Sequence, residues 1–160
     1  MIRLSKLTDY GLVLMSCFAR SEPLALRTAR DLAAESRLPL PTVSKLLKGL
    51  LQSGLLISHR GTKGGYSLAR RPQEISLEEI IAALEGPFAL TECSTDVSGL
   101  CDLEPCCLIK KNQRIINEVL RGVLEKVMLS DLIHPLHVTA RKNSPNNFIP
   151  AIGLTSGRVQ

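Results

Sequence analysis

The chain has no tryptophan, and aromatic side chains make up only 3% of its 160 residues. A core without large rings must be assembled from Leu, Ile, Val and Ala, a balance that favours packed helices over an extensive sheet. Nowhere do roughly 18 apolar residues run uninterrupted, which excludes a transmembrane helix of ordinary length. Lys6 and Asp9 break the apolar opening MIRLSKLTDYGLVLMSCFAR, and no small-residue cleavage site follows it. A cytoplasmic protein with no membrane association is therefore expected. Catalytic signatures are also lacking: there is no acidic metal cluster, no nucleophile with a paired His and no phosphate-binding loop, so the chain does not read as an enzyme. Neither a C-x-x-C nor a C-x-x-H knuckle occurs, which disfavours structural zinc. No internal repeat is present.

What is there is a globular composition, 44% hydrophobic and 22% charged, with an uneven distribution of charge. Residues 1–71 carry 12 Lys and Arg against 4 Asp and Glu, or +8, whereas residues 72–160 carry 8 against 11, or −3. The basic half is the expected polyanion binder, with a merely solvated basic surface as the blander alternative.

The fold class expected is mainly α. Leu4, Leu7, Tyr10, Leu14 and Phe18 recur at helical spacing and predict a first helix to about Arg20, with Cys17 as a small buried residue. Thr28 is a good N-cap for a second, short helix burying Ala29, Leu32 and Ala33. Pro41 suits the first position of a third, whose Val43, Leu46, Leu47, Leu50 and Leu51 share a face and which Gly54 closes. Thr42, Ser44, Lys45 and Lys48 lie on its outward side. This is the pattern of a helix-turn-helix, with Thr42, Ser44 and Lys45 placed to reach base edges and Lys48 to hold phosphate. The following LLISHRGTKGGYSLAR predicts two short strands around a Gly-rich tip, charged by Arg60, Lys63, Arg70 and Arg71. A basic hairpin directly after a helix-turn-helix is a wing, where Arg60 and Lys63 are placed for phosphate or minor-groove contact.

Ser76 and Glu79 fit a capping box for a supporting helix that Gly86 and Pro87 stop. Helical spacing resumes over 109–133, with Ile116, Val119, Leu120, Val123, Leu124, Val127 and Met128 in a long apolar stripe. Such a helix either packs back across its own domain or pairs with a second chain; pairing is favoured, because DNA-reading helices usually act in twos on a palindrome. His134 and His137 read as helix-end and surface residues, and the Asn-, Pro- and Gly-containing tail 143–160 reads as disordered.

Between these helices, four of the five cysteines fall within residues 93–107. Thiols gathered on a loop in a reducing compartment suit a soft metal centre. Cys106 and Cys107 are adjacent and should point apart, so only one of them is expected to join Cys93 and Cys101, leaving a fourth place open.

The opening RLSKLTDYGLVLM, the helix-turn-helix, the wing RGTKGGYSL and a three-cysteine loop before a long helix together resemble the Rrf2 family of bacterial winged-helix regulators over roughly residues 1–135. The resemblance implies a homodimer that binds a palindromic operator in double-stranded DNA. It also implies an iron–sulfur cluster, [2Fe-2S] or [4Fe-4S], held by Cys93, Cys101 and Cys107, with Cys106 as the extra thiol. In some members a His three residues after the last cysteine is the fourth ligand, but here Lys110 stands there; in others an acidic residue in the first helix of the partner subunit completes the site, and Asp9 occupies that position, so the resemblance favours Asp9 of the partner subunit over Cys106 or an outside ligand. The opening is most similar to repressors of Suf-type cluster-assembly genes; a nitric-oxide or redox regulator of the same family is the alternative, and a thiol-redox or cluster-carrier protein a more distant one. The division expected is a DNA-binding domain at 1–86, a cysteine loop at 87–108 and a dimerisation helix at 109–135.

Overall fold

The computed structural model describes residues 3–22, 25–61, 63–95, 99–102 and 106–135, without the side chain of Cys93. The chain is mainly helical: α1 (Lys6–Arg20), α2 (Ala29–Ser36), α3 (Leu40–Gln52), a hairpin of β1 (Leu56–His59) and β2 (Gly65–Leu68), α4 (Leu77–Glu85) and α5 (Lys110–Lys126). Short 3-10 turns lie at Pro72–Glu74, Glu92–Ser94 and Leu129–Ile133. Among the described residues no helix is long and apolar enough to cross a membrane. The expected disorder of 143–160 and the reading of His137 fall outside the described residues.

Three of the helices, α1, α2 and α4, begin where the sequence supplies a side-chain acceptor. Ser5 caps α1, accepting from the Thr8 amide at 3.2 Å. At α2 the Asp31 amide donates to Thr28 Oγ1 at 3.2 Å, and the Thr28 amide returns a bond to Asp31. Ser76 and Glu79 form the same reciprocal box at α4, at 3.1 and 2.8 Å. α1 starts after Leu4, not before it, because Ser5 takes the cap and leaves Leu4 partly exposed.

Leu14, Met15, Leu32, Val43, Leu46, Leu47, Leu50, Ile75 and Ile80 are fully buried in one core shared by α1 to α4, and Cys17 lies at its edge, as expected. Emptying such a position costs about 2–5 kcal/mol, because surrounding side chains cannot collapse fully into the void. α3 ends in a left-handed turn at Gly54, φ 75°, where the Gly54 amide bonds Leu51 O at 3.1 Å and the Leu55 amide bonds Leu50 O at 3.0 Å. That reversal sends Leu55 and Leu56 straight back into the core as the wing begins.

The last helix departs from the expected 109–133. Past Lys126 the chain pairs with the segment before α4: the Leu77 amide donates to Val127 O at 2.7 Å and the Leu129 amide to Ile75 O at 2.8 Å. Leu129 is then fully buried in the core of the first 86 residues. Apolar residues that continue the helical stripe on paper serve here as a short extended strap, because Asp131 caps the Met128 amide at 2.8 Å and starts a new turn.

Candidate DNA-binding face and cysteine loop

α2 and α3 are joined by only three residues, 37–39, with Arg37 in the left-handed region at φ 57°. This tight connection packs α2 against α3 and gives a helix-turn-helix. Burial of Val43, Leu46, Leu47 and Leu50 fixes the rotation of α3, so that Ser44, Lys45 and Lys48 are exposed and Thr42 is half-buried. Leu40 opens α3 and Pro41 takes its second position rather than its first. No side chain caps this N-terminus, and the Val43 amide bonds Pro39 O at 3.1 Å.

β1 and β2 pair antiparallel from Leu56↔Leu68 to His59↔Gly65, with Arg60 and Lys63 exposed at the tip. The Arg27 backbone adds a third edge: its amide donates to Tyr66 O at 2.9 Å and the Tyr66 amide to Arg27 O at 2.8 Å. This explains Gly65 better than turn flexibility does, since a Cβ there would stand 2.7 Å from Arg27 O. The Arg27 guanidinium also reaches Ser21 and Glu35, so one residue ties the wing to α1 and α2. Arg70, counted from sequence among the wing's charges, is committed inside the domain, bonding Glu79 at 2.6 Å and Glu74 O at 2.8 Å.

The cysteine loop follows α4 and leads into α5. Cys93 stands in the middle of the 92–94 turn, which packs against α5. Cys101 and Cys107 are half-buried, Cys106 is exposed, and none of the three is in a disulfide. The Lys110 amide closes onto Cys107 O at 3.4 Å, so Cys107 leads directly into α5. Among the described side chains, which exclude that of Cys93, no three His, Cys, Asp or Glu groups converge. Asp9 is exposed in the first turn of α1. Cys17 is different in kind: burial, then the nearby Glu35 carboxylate, push its thiol pKa up, which keeps it protonated and unreactive.

Two attachments escaped the sequence reading. Glu85, at the end of α4, is bonded by the Thr8 hydroxyl and by the Ser5 amide at 2.6 Å, which lower its pKa and lock α4 to the start of α1. On α5, polar groups reach into the rest of the chain: Asn117 is buried, and Arg121 bonds the nearly buried Glu78 of α4 at 3.2 Å. Val119, Val123 and Leu124 are half-buried, whereas Ile116 and Leu120, and Ile109 just before the helix, are exposed at 47, 36 and 55%. A buried carboxamide beside apolar residues left in water departs from the usual arrangement of a surface helix.

A family model described as an iron-dependent transcriptional regulator, Rrf2, matches residues 4–135. The HTH-type transcriptional regulator NsrR of Shouchella clausii is 29% identical over 135 residues, 82% of this chain and 89% of its own length. Among solved structures, CymR, the global cysteine regulator of B. subtilis, superposes with a TM-score of 0.62 at 27% identity, covering 83% of this chain and 97% of that one. IscR of T. potens does so with a TM-score of 0.59 at 26% identity, covering 82% and 86%. The match takes in the helix-turn-helix, the wing, the cysteine loop and α5 together, and the chain accordingly belongs to the Rrf2 family of winged-helix transcription regulators, DNA-binding proteins and not enzymes.

Proposed function

We propose that the protein is an iron–sulfur-dependent repressor of cluster-assembly genes of the Suf type, acting as a homodimer on a palindromic operator. The observation that carries this reading is the position of the cysteine loop, which runs from the end of α4 to the start of α5 and so joins a DNA-binding domain to an outward-facing apolar helix. The iron-dependent description of the matching family supports the metal. The apolar stripe of Ile109, Ile116 and Leu120 supports the second copy, since a polar partner would leave it in water.

Cys93, Cys101 and Cys107 are the proposed ligands and Asp9 of the partner subunit the proposed fourth. The donor set fits: the half-buried thiols of Cys101 and Cys107 on a loop can be drawn inward round iron, and a carboxylate is a harder, more exchangeable donor than thiolate. Bound there, a cluster would supply sensitivity to iron, oxygen or nitric oxide. The chain's own part is mechanical. Thiolate ligation orders a loop with little apolar content, and the Glu78–Arg121 pair and the strap at 127–129 connect that loop's flank to α4 and the core. The DNA contacts proposed are Thr42, Ser44 and Lys45 to bases, Lys48 to phosphate, and Arg60 and Lys63 of the wing to phosphate or the minor groove. The units proposed are 1–86, 87–108 and 109–135, with the end of the last unit anchored in the first through Leu129.

Anaerobic reconstitution tests the ligand set. Visible absorption is expected in the wild type and in Cys106→Ala, is lost in Cys93→Ala and Cys107→Ala, and is altered or short-lived in air in Asp9→Ala. A colourless Cys106→Ala protein would overturn the assignment, and a wild type that takes up no iron would overturn the reading as a whole.

A further inference from the structure

We propose that Asn117 is a positioning residue that closes the base of the cysteine loop, holding the arm that carries Cys93 against the helix that follows Cys107; this rests on the loop being the metal-binding element proposed above. Asn117 is 7% exposed in a helix whose other described residues are half-buried or exposed. A buried carboxamide is costly unless its donor and acceptor are both used. Here both are. Its Oδ1 accepts from the Leu90 amide at 2.9 Å and its Nδ2 donates to Phe88 O at 3.4 Å, so the side chain meets the backbone as a neighbouring strand would. Asp could only accept, Leu could do neither, and Gln would be too long for the same fit.

The sequence positions give these bonds their meaning. Leu90 precedes Cys93 by three residues, and α5 begins three residues after Cys107. Asn117 lies about two turns into that helix, roughly 10 Å along it. The two arms of the loop are thereby laid along one rigid element, and their separation is set before any metal arrives. A cleft of about 380 Å³ lies beside this contact, lined by apolar Ala82, Pro87 and Phe88 as well as by Glu78, Asn117 and Arg121. The two Asn117 bonds and the Arg121–Glu78 pair fasten α5 on this flank. Pinning the ends of a loop of about 20 residues removes closure entropy that ligation would otherwise have to overcome. Groups that orient ligands without touching metal typically change metal affinity by about 10–100-fold when removed.

Cadmium binding to the full-length, cluster-free, reduced protein tests this without iron. The cadmium–thiolate charge-transfer absorption reports affinity, thermal unfolding reports the fold, and hydrogen exchange reports the Leu90 amide. In Asn117→Leu, cadmium affinity is expected to fall by about 10–100-fold and Leu90 exchange to quicken, with the unfolding temperature and the affinity of the cluster-free protein for DNA nearly unchanged. Asn117→Asp keeps the acceptor but loses the donor, so it should fall between; if Asn117→Leu does not fold, this variant carries the comparison. Unchanged cadmium affinity in a folded variant would overturn the proposal, as would a loss that merely tracks a loss of stability. If the wild type binds cadmium tightly in an Asn117-dependent way but never takes up iron, the cluster reading fails and this one stands. If iron is taken up and the variants bind cadmium as the wild type does, this one fails alone.

Discussion

Lys45 is exposed on α3, one position from the buried Leu46 that fixes the helix's rotation. Its ammonium has no competing role in the core, so Lys45→Ala should leave stability intact and cost about 1–3 kcal/mol on the cognate operator if it reads a base edge. An equal loss on random DNA, measured by anisotropy at one salt concentration, would reassign it to phosphate. Carboxylates, by contrast, bear on the fold. Burial alone would raise the pKa of Glu79, but the Ser76 amide and the Arg70 guanidinium outweigh it and bring it below the ordinary 4.5; the Thr8 hydroxyl and Ser5 amide do the same to Glu85. A lowered folded-state pKa means stabilisation that is complete above 4.5 and is lost as pH falls through the lowered value. The unfolding temperature should thus drop as pH goes from about 5 to about 3, and less steeply in Glu79→Gln. A Glu79→Gln profile parallel to that of the wild type would contradict this. The thiols and surface lysines could be found by residue type and spacing. Asn117 and Glu85 could not, because their partners are backbone amides and a distant hydroxyl that no local pattern signals.

Helix positions were the most legible feature at the level of elements, since Thr28, Ser76, Gly54 and Gly86 mark ends by local chemistry that the fold retains. α5 shows where that logic stops. Its apolar period runs through Val127 and Met128, yet the helix ends at Lys126 because pairing with 75–77 buries Leu129. Helix and strap use the same apolar residues, and only tertiary pairing distinguishes them. The expectation of a second copy on α5 rests on the stripe that remains outward. Val123 is half-buried, so Leu120, with Ile116 beside it, is the sharper probe. Leu120→Asp places a charge where apolar burial is proposed and should give monomers in sedimentation with unchanged helix content. A dimer that survives it would move the interface elsewhere.

For the molecule as a whole, the division of charge, +8 over residues 1–71 and −3 over the rest, already separated a polyanion-binding half from a half with another task. The order helix-turn-helix, wing, cysteine loop and helix could be read because each part has a short-range signature. How the loop is held could not, since Asn117 bonds the backbone at 88–90 and Arg121 bonds Glu78, attachments that the hydrophobic period of α5 does not signal. The state of the cysteine loop is proposed to set operator affinity. Coupling between two sites of this kind is typically about 5–150-fold. The most direct measurement is anisotropy of labelled DNA from the protein's own upstream region, titrated at fixed salt with reconstituted protein, cluster-free protein and Cys107→Ala. Affinities for the first two are expected to differ by about tenfold or more, with Cys107→Ala behaving as the cluster-free form. Three coincident binding curves would contradict it.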